Sequence, residues 1–138
     1  IFPQSVAGTR EWWEHTRSSE GQQVFAIETL AGELAGACDV RDVSASSRHG
    51  VLGIWIARRF WDRGYGTDAV RTLCRFGFRE MNLQRMELHV HETNPRGRAA
   101  YEKVGFKEEG RLRRAHFTGG RYVDVIVMGL LDDELVED

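Results

Sequence analysis

Lysine is almost missing from this chain: of 19 basic residues only Lys103 and Lys107 are not arginine. Guanidinium forks match phosphate geometry and stay charged, so arginines that cluster beside a phosphate-shaped turn, Arg58, Arg59 and Arg63, are the ones worth pursuing. A bias toward arginine throughout accounts for the others. Cysteine is as scarce. Cys38 and Cys74 are too few for a disulfide framework and lack metal-ligand spacing, so both read as buried small hydrophobes and no metal is expected. No apolar run reaches the length of a membrane helix. The opening Ile1-Phe2-Pro3-Gln4-Ser5 has no basic region followed by an apolar stretch. A membrane is therefore not an expected partner, and the cytoplasm is the expected location. A net charge of -2 gives the whole chain no attraction to nucleic acid. Repeats, low-complexity segments and linkers are absent as well. What remains is 138 residues, 41% apolar and 29% charged, the composition of one soluble domain spanning 1–138.

Periodicity divides that domain into elements. Val6–Arg17 has helical character with Trp12 and Trp13 near one face. Gln22–Leu30, Leu34–Val40 and Val51–Ala57 read as three strands of a meander, with a turn at Ala31-Gly32-Glu33 and a polar loop over Asp42–Ser47. Val70, Leu73, Cys74, Gly77, Phe78 and Met81 then recur at helical spacing, with Arg71, Arg75 and Arg79 on another face. Arg85–His91 alternates Met86, Leu88 and Val90 with Glu87, His89 and His91. Next comes a helix with its punctuation in place: Asn94 as N-cap, Pro95 in the first turn and Gly105 as left-handed C-cap. Lys107–Phe117 and Arg121–Leu131 flank the turn Thr118-Gly119-Gly120 as a hairpin. Helices alternating with strands in this order predict a mixed α+β sheet protein. Its two strand-helix units, 51–81 and 85–105, require at least one parallel pair, and a ligand belongs at the carboxyl ends of those strands.

The segment Trp61-Asp62-Arg63-Gly64-Tyr65-Gly66-Thr67 carries the chemistry. An apolar strand runs into it and an amphipathic helix leaves it. Glycines at 64 and 66 leave the first helical N–H groups uncovered, and those groups sit at the positive end of the macrodipole, a setting suited to a phosphate. Asn94 and the block Tyr101-Glu102-Lys103-Val104-Gly105-Phe106 follow at a fixed distance, and then Gly110-Arg111, Gly119-Gly120, Tyr122, Asp124 and Met128.

In these three blocks, residues 49 to 131 resemble the GCN5-related N-acetyltransferase (GNAT) superfamily, in the branch of ribosomal-protein-alanine and spermidine acetyltransferases. The resemblance implies a mixed, mostly antiparallel central sheet with a splayed parallel pair, flanked by helices. It also implies that an N-terminal strand and helix are missing ahead of residue 1, leaving the single domain incomplete at its front. The implied donor is acetyl-CoA, with its pyrophosphate on the N–H groups of Arg63, Gly64, Tyr65, Gly66 and Thr67. Its pantetheine arm would lie along Ile54, Trp55 and Ile56, with Asn94 as a further contact. Tyr101 is the implied general acid for the leaving thiolate.

A base is not identified by the same route. Relatives carry Glu two residues before the glycine of the third strand, whereas here Val51 precedes Gly53. His89 and His91 titrate in a suitable range, Glu28 and Asp39 could act through water, and His49 and His116 have no spacing that favours them. The expected activity is direct acetyl transfer to a primary amine of a small molecule or a protein N-terminus. The alternative is a non-catalytic acyl-CoA binding or sensing module, motivated by Val51. DNA or RNA binding through Arg111, Arg113 and Arg114 is countered by Glu108 and Glu109 beside them. The hairpin with Phe117 and Tyr122 permits a homodimer.

Overall fold

Alternating side chains build a six-stranded sheet. The structure, a computed structural model, describes residues 22–137, so the helix expected over Val6–Arg17 lies outside the described residues. Strands β1 (Gln23–Glu28), β2 (Leu34–Ser44) and β3 (His49–Ile56) form the expected antiparallel meander. A short 3-10 turn, Arg58–Phe60, leads to helix α1 (Tyr65–Glu80). Then come β4 (Arg85–His91), α2 (Pro95–Val104) and the hairpin β5 (Lys107–Thr118) and β6 (Arg121–Leu131). The strand order is β1-β2-β3-β4-β6-β5. All neighbours are antiparallel except β3 and β4. Among the described residues, no helix is long and apolar enough to cross a membrane.

The polar loop expected over Asp42–Ser47 is shorter than the sequence suggested. β2 runs on to Ser44, with a register shift between Arg41↔Val51 and Ser44↔His49 and Asp42 at φ 52°. A bulge absorbs the extra residues and keeps the ladder paired beyond the core. Polar side chains cost nothing there, and that is why hydropathy alone ended the strand too early.

Helix α1 packs Val70, Leu73, Cys74 and Gly77 inward against a core containing Met86, Leu88, Met128 and Leu130. Burial pushes the Cys38 thiol up to about 12 and raises Cys74 as well, each with a smaller contribution from a neighbouring group. Both cysteines therefore behave as the small hydrophobes the sequence suggested. At the other helix, Asn94 Oδ1 accepts from the Gly97 N–H at 3.0 Å, Pro95 occupies the first turn, and Gly105 closes the end at φ 119°.

The C-terminal segment ties the two helices together. Val136 N–H donates to the Val104 carbonyl at 2.9 Å, and Arg71 Nε donates to the Val136 carbonyl at 2.8 Å. Arg75 and Arg79 hold Glu137 at 3.0 and 2.8 Å. The segment passes so close to Gly105 that a Cβ there would strike the Glu134 carbonyl.

Candidate active site

The parallel pair separates after three residue pairs. β3 and β4 are joined only at His49↔Arg85, Gly50↔Met86 and Val51↔Glu87. Beyond them β3 stays with β2 as far as Gly36↔Ile56, and β4 stays with β6 as far as His91↔Val125. Each strand keeps its outer partner, so the inner edges part. A cleft of about 530 Å³ opens between them, bordered by Ile54, Trp55, His91, Asn94, Tyr101 and His116 among others.

The main chain of β3 shows what that gap offers. Ala57 N–H donates to the Ala35 carbonyl at 2.8 Å. Strand alternation then turns the groups of Ile54 and Ile56 the other way, into the gap. One of them is already engaged: the Trp61 indole N–H donates to the Ile56 carbonyl at 2.9 Å. Ile54 and the Ile56 N–H keep their orientation toward the gap, but the Ile56 carbonyl is taken.

Nine residues past that strand, α1 starts without a side-chain cap. Its N-cap, Gly64, is left-handed at φ 84°, and no side chain accepts from the first-turn N–H groups. That conformation costs an ordinary L-residue about 1–2 kcal/mol and glycine almost nothing. A Cβ at Gly64 would meet nothing within 4 Å, and one at Gly66 only Ile56 Cγ1 at 4.0 Å. The start of α1 is thus open beside the end of β3, with uncapped N–H groups of the polarity an anion needs.

Contacts with the second helix hold this loop. Arg96 Nε donates to Asp62 Oδ1 at 3.0 Å, and the Arg96 guanidinium lies 4.5 Å from the Trp61 ring centroid. Among the clustered arginines, Arg59 pairs with Glu33 at 3.3 Å and covers Phe60. Arg63 stands exposed beside the glycine turn.

Tyr101 projects from α2 into the same cleft, its ring edge-on to Phe106 at 6.3 Å. Burial pushes its phenol up to about 12, so it holds its proton across the physiological range and can deliver it only to a strongly developing negative charge. Asn94 borders the cleft while capping α2 through Oδ1. Its Nδ2 group is not used by the cap.

The other titratable candidates separate by position. His89 Nε2 lies 2.9 Å from Glu87 Oε2, and Arg85 binds both Glu87 and Glu109. Burial alone would raise the Glu87 carboxyl, yet hydrogen bonds from His89 and Arg85 outweigh it and hold it below its usual range. Asp39 has no exposed surface and does not border the cleft. Gln22 donates to its Oδ2 at 2.7 Å, and burial raises its pKa against that bond and against Arg41. Glu28 ends β1, two strands from the gap, and His49 sits at the closed end of the pair. Val51 borders the cleft. No spacing in the sequence favours His116. Its ring stacks on His91 with centroids 3.9 Å apart and planes 17° apart, and both rings border the cleft.

A model of the acetyltransferase (GNAT) domain matches residues 2–107. The spermidine N(1)-acetyltransferase of Vibrio cholerae is 30% identical over 110 residues, covering 80% of this chain and 64% of that protein. YdaF of Bacillus subtilis, provisionally named a ribosomal N-acetyltransferase, is 32% identical over 103 residues, or 75% of this chain. The chain covers only 56% of YdaF's length. Among solved structures, spermidine N-acetyltransferase from Vibrio cholerae in complex with CoA and spermine superposes with a TM-score of 0.82. Its sequence identity is 26%, over 96% of this chain and 78% of that one.

Proposed function

Because the chain belongs to the GNAT acetyltransferase family, we propose that it transfers the acetyl group of acetyl-CoA directly to a primary amine, with no covalent enzyme intermediate. The observation that carries this reading is the parting of β3 from β4 beyond Val51 and Glu87. It gives an amide-rich arm a strand edge to pair with, next to an uncapped helix start.

In this reading the N–H groups from Arg63 to Thr67 hold the pyrophosphate, and Arg63 adds its charge from the rim. Ile54 and the Ile56 N–H pair with the pantetheine arm, Trp55 flanks it, and Asn94 Nδ2 reaches it from α2. An N–H of β3 also lies where the thioester oxygen develops negative charge. Tyr101 gives its proton to the departing sulfur. The acceptor is an amine-bearing small molecule or a peptide N-terminus. Supporting this are the similarity to a spermidine enzyme solved with spermine and the similarity to YdaF. Self-association through the hairpin, where Phe117 and Tyr122 stand exposed with rings 5.0 Å apart, belongs to the same reading.

Titrating the full chain with CoA by calorimetry tests the binding half. Following free thiol release from acetyl-CoA across spermidine, an alanine-initiated peptide, free amino acids and an aminoglycoside tests the chemical half. No affinity for CoA sinks the proposal. Affinity without thiol release favours the second reading, an acyl-CoA sensing module, for which Val51 in the cleft is the specific support.

A further inference from the structure

We propose that His91 is the general base for the acceptor amine and that His116 is the residue that positions it. This inference rests on the acetyl-transfer reading above and deepens it.

Strand alternation puts the imidazole and the phenol on opposite sides of the gap. Met86, Leu88 and Val90 of β4 join the core that Tyr101 packs against. Glu87, His89 and His91 therefore project from the other face of the strand. The acid approaches the parted strands from the helix side and the imidazoles from the far side, so the two proton transfers have separate approaches to the thioester. Of the two histidines of β4 on that face, His89 is engaged with Glu87, itself bound by Arg85. His91 has no carboxylate partner among the described residues and is braced instead by the flat stack with His116. The register shift between Leu112 and His116 in β5 brings this second ring over. His116 aligns with Val123 and His91 with Val125, next-but-one residues on one face of β6.

The groups facing the cleft around His91 are Arg41 of β2, His89 of β4, Tyr101 of α2 and His116 of β5, while β6 contributes the apolar Val125. No carboxylate borders the cleft among the described residues. Burial, and secondarily the charge of His116, lower the His91 pKa below its usual value. At neutral pH the ring is consequently a free base.

The step balances as follows. An ammonium N–H bond breaks and its proton passes to the His91 imidazole, directly or through one water. The freed lone pair forms a C–N bond to the thioester carbonyl carbon. The C–S bond then breaks, its electron pair leaving on sulfur, which takes the Tyr101 proton. The second proton lost by nitrogen restores Tyr101, and the imidazolium releases its own to bulk water. Products are the amide, the free thiol and one proton.

The test follows thiol release by the full chain with saturating acetyl-CoA, using spermidine and an alanine-initiated peptide as acceptors, between pH 5 and 9. The wild-type acid limb of kcat/KM should lie below the ordinary imidazole range. His91→Gln should lower kcat by about 10²-fold, abolish that limb and leave CoA affinity unchanged. His116→Gln removes the neighbouring charge, so the limb should move to higher pH while kcat on the plateau falls severalfold. Thermal melting of both variants confirms folding, and NMR titration of the imidazoles in the CoA complex reads the same shift without turnover. Turnover with an unchanged pH profile in His91→Gln overturns this inference alone. Failure of the wild type to release thiol with these two acceptors and with the free amino acids and aminoglycoside named above overturns it together with the acetyl-transfer reading.

Discussion

Helices α1 and α2 each begin just past the carboxyl end of one strand of the parted pair, yet their first turns are finished in opposite ways. At α2 the protein completes its own hydrogen bonding: Pro95 has no N–H to satisfy and Asn94 accepts from Gly97. At α1 the cap is a glycine in the left-handed region, with no side chain to offer. In chemical terms the closed helix is a rigid mount for Tyr101, and the open one leaves its first donors without a side-chain acceptor, free for the pyrophosphate of the proposed reading. The two helix starts can then be perturbed separately.

Tyr101→Phe should give the largest effect, a loss of roughly 10²-fold to 10⁴-fold in kcat with CoA affinity retained by calorimetry. Gly64→Ala sets a Cβ against the left-handed φ of 84° that the open start of α1 adopts, and relaxing that strain turns a first-turn N–H out of line. It should weaken CoA roughly 10-fold to 100-fold, the worth of one hydrogen bond to a charged group, while kcat at saturating acetyl-CoA holds. Asn94→Ala opens α2 and should cost about 1 kcal/mol in denaturant unfolding. Asn94→Asp retains the cap and that stability but should raise KM for acetyl-CoA, because the Nδ2 donor is gone. Arg96→Ala, which releases Trp61 and Asp62, should be the mildest, about 0.5 kcal/mol of stability and a two- to threefold rise in the same KM.

The parts that could be read from sequence are those governed by local rules. Asn94, Pro95 and Gly105 bracket a helix because each satisfies a backbone constraint of its own position, and the structure places the helix between them. The amphipathic spacing of α1, the hairpin and the parallel pair follow from equally short-range signals. What escaped are features that depend on the path the backbone takes between the residues that make them. Trp61 fits a motif position, but its bond to the Ile56 carbonyl depends on the path of the 3-10 turn between them. His116 faces His91 only because β5 carries a bulge. The placement of Asp39, which the sequence left open as a base working through water, also required the fold, which buries it within β2 and away from the gap.

The closing segment from Asp132 to Glu137 acts like a cable between the two helices. Through Val136 it pulls on the carboxyl end of α2 and, by way of Arg71, on the second turn of α1. It leaves directly from β6, the strand that also holds β4 in place. A single stretch of backbone thereby serves as common anchorage for both helices and the sheet.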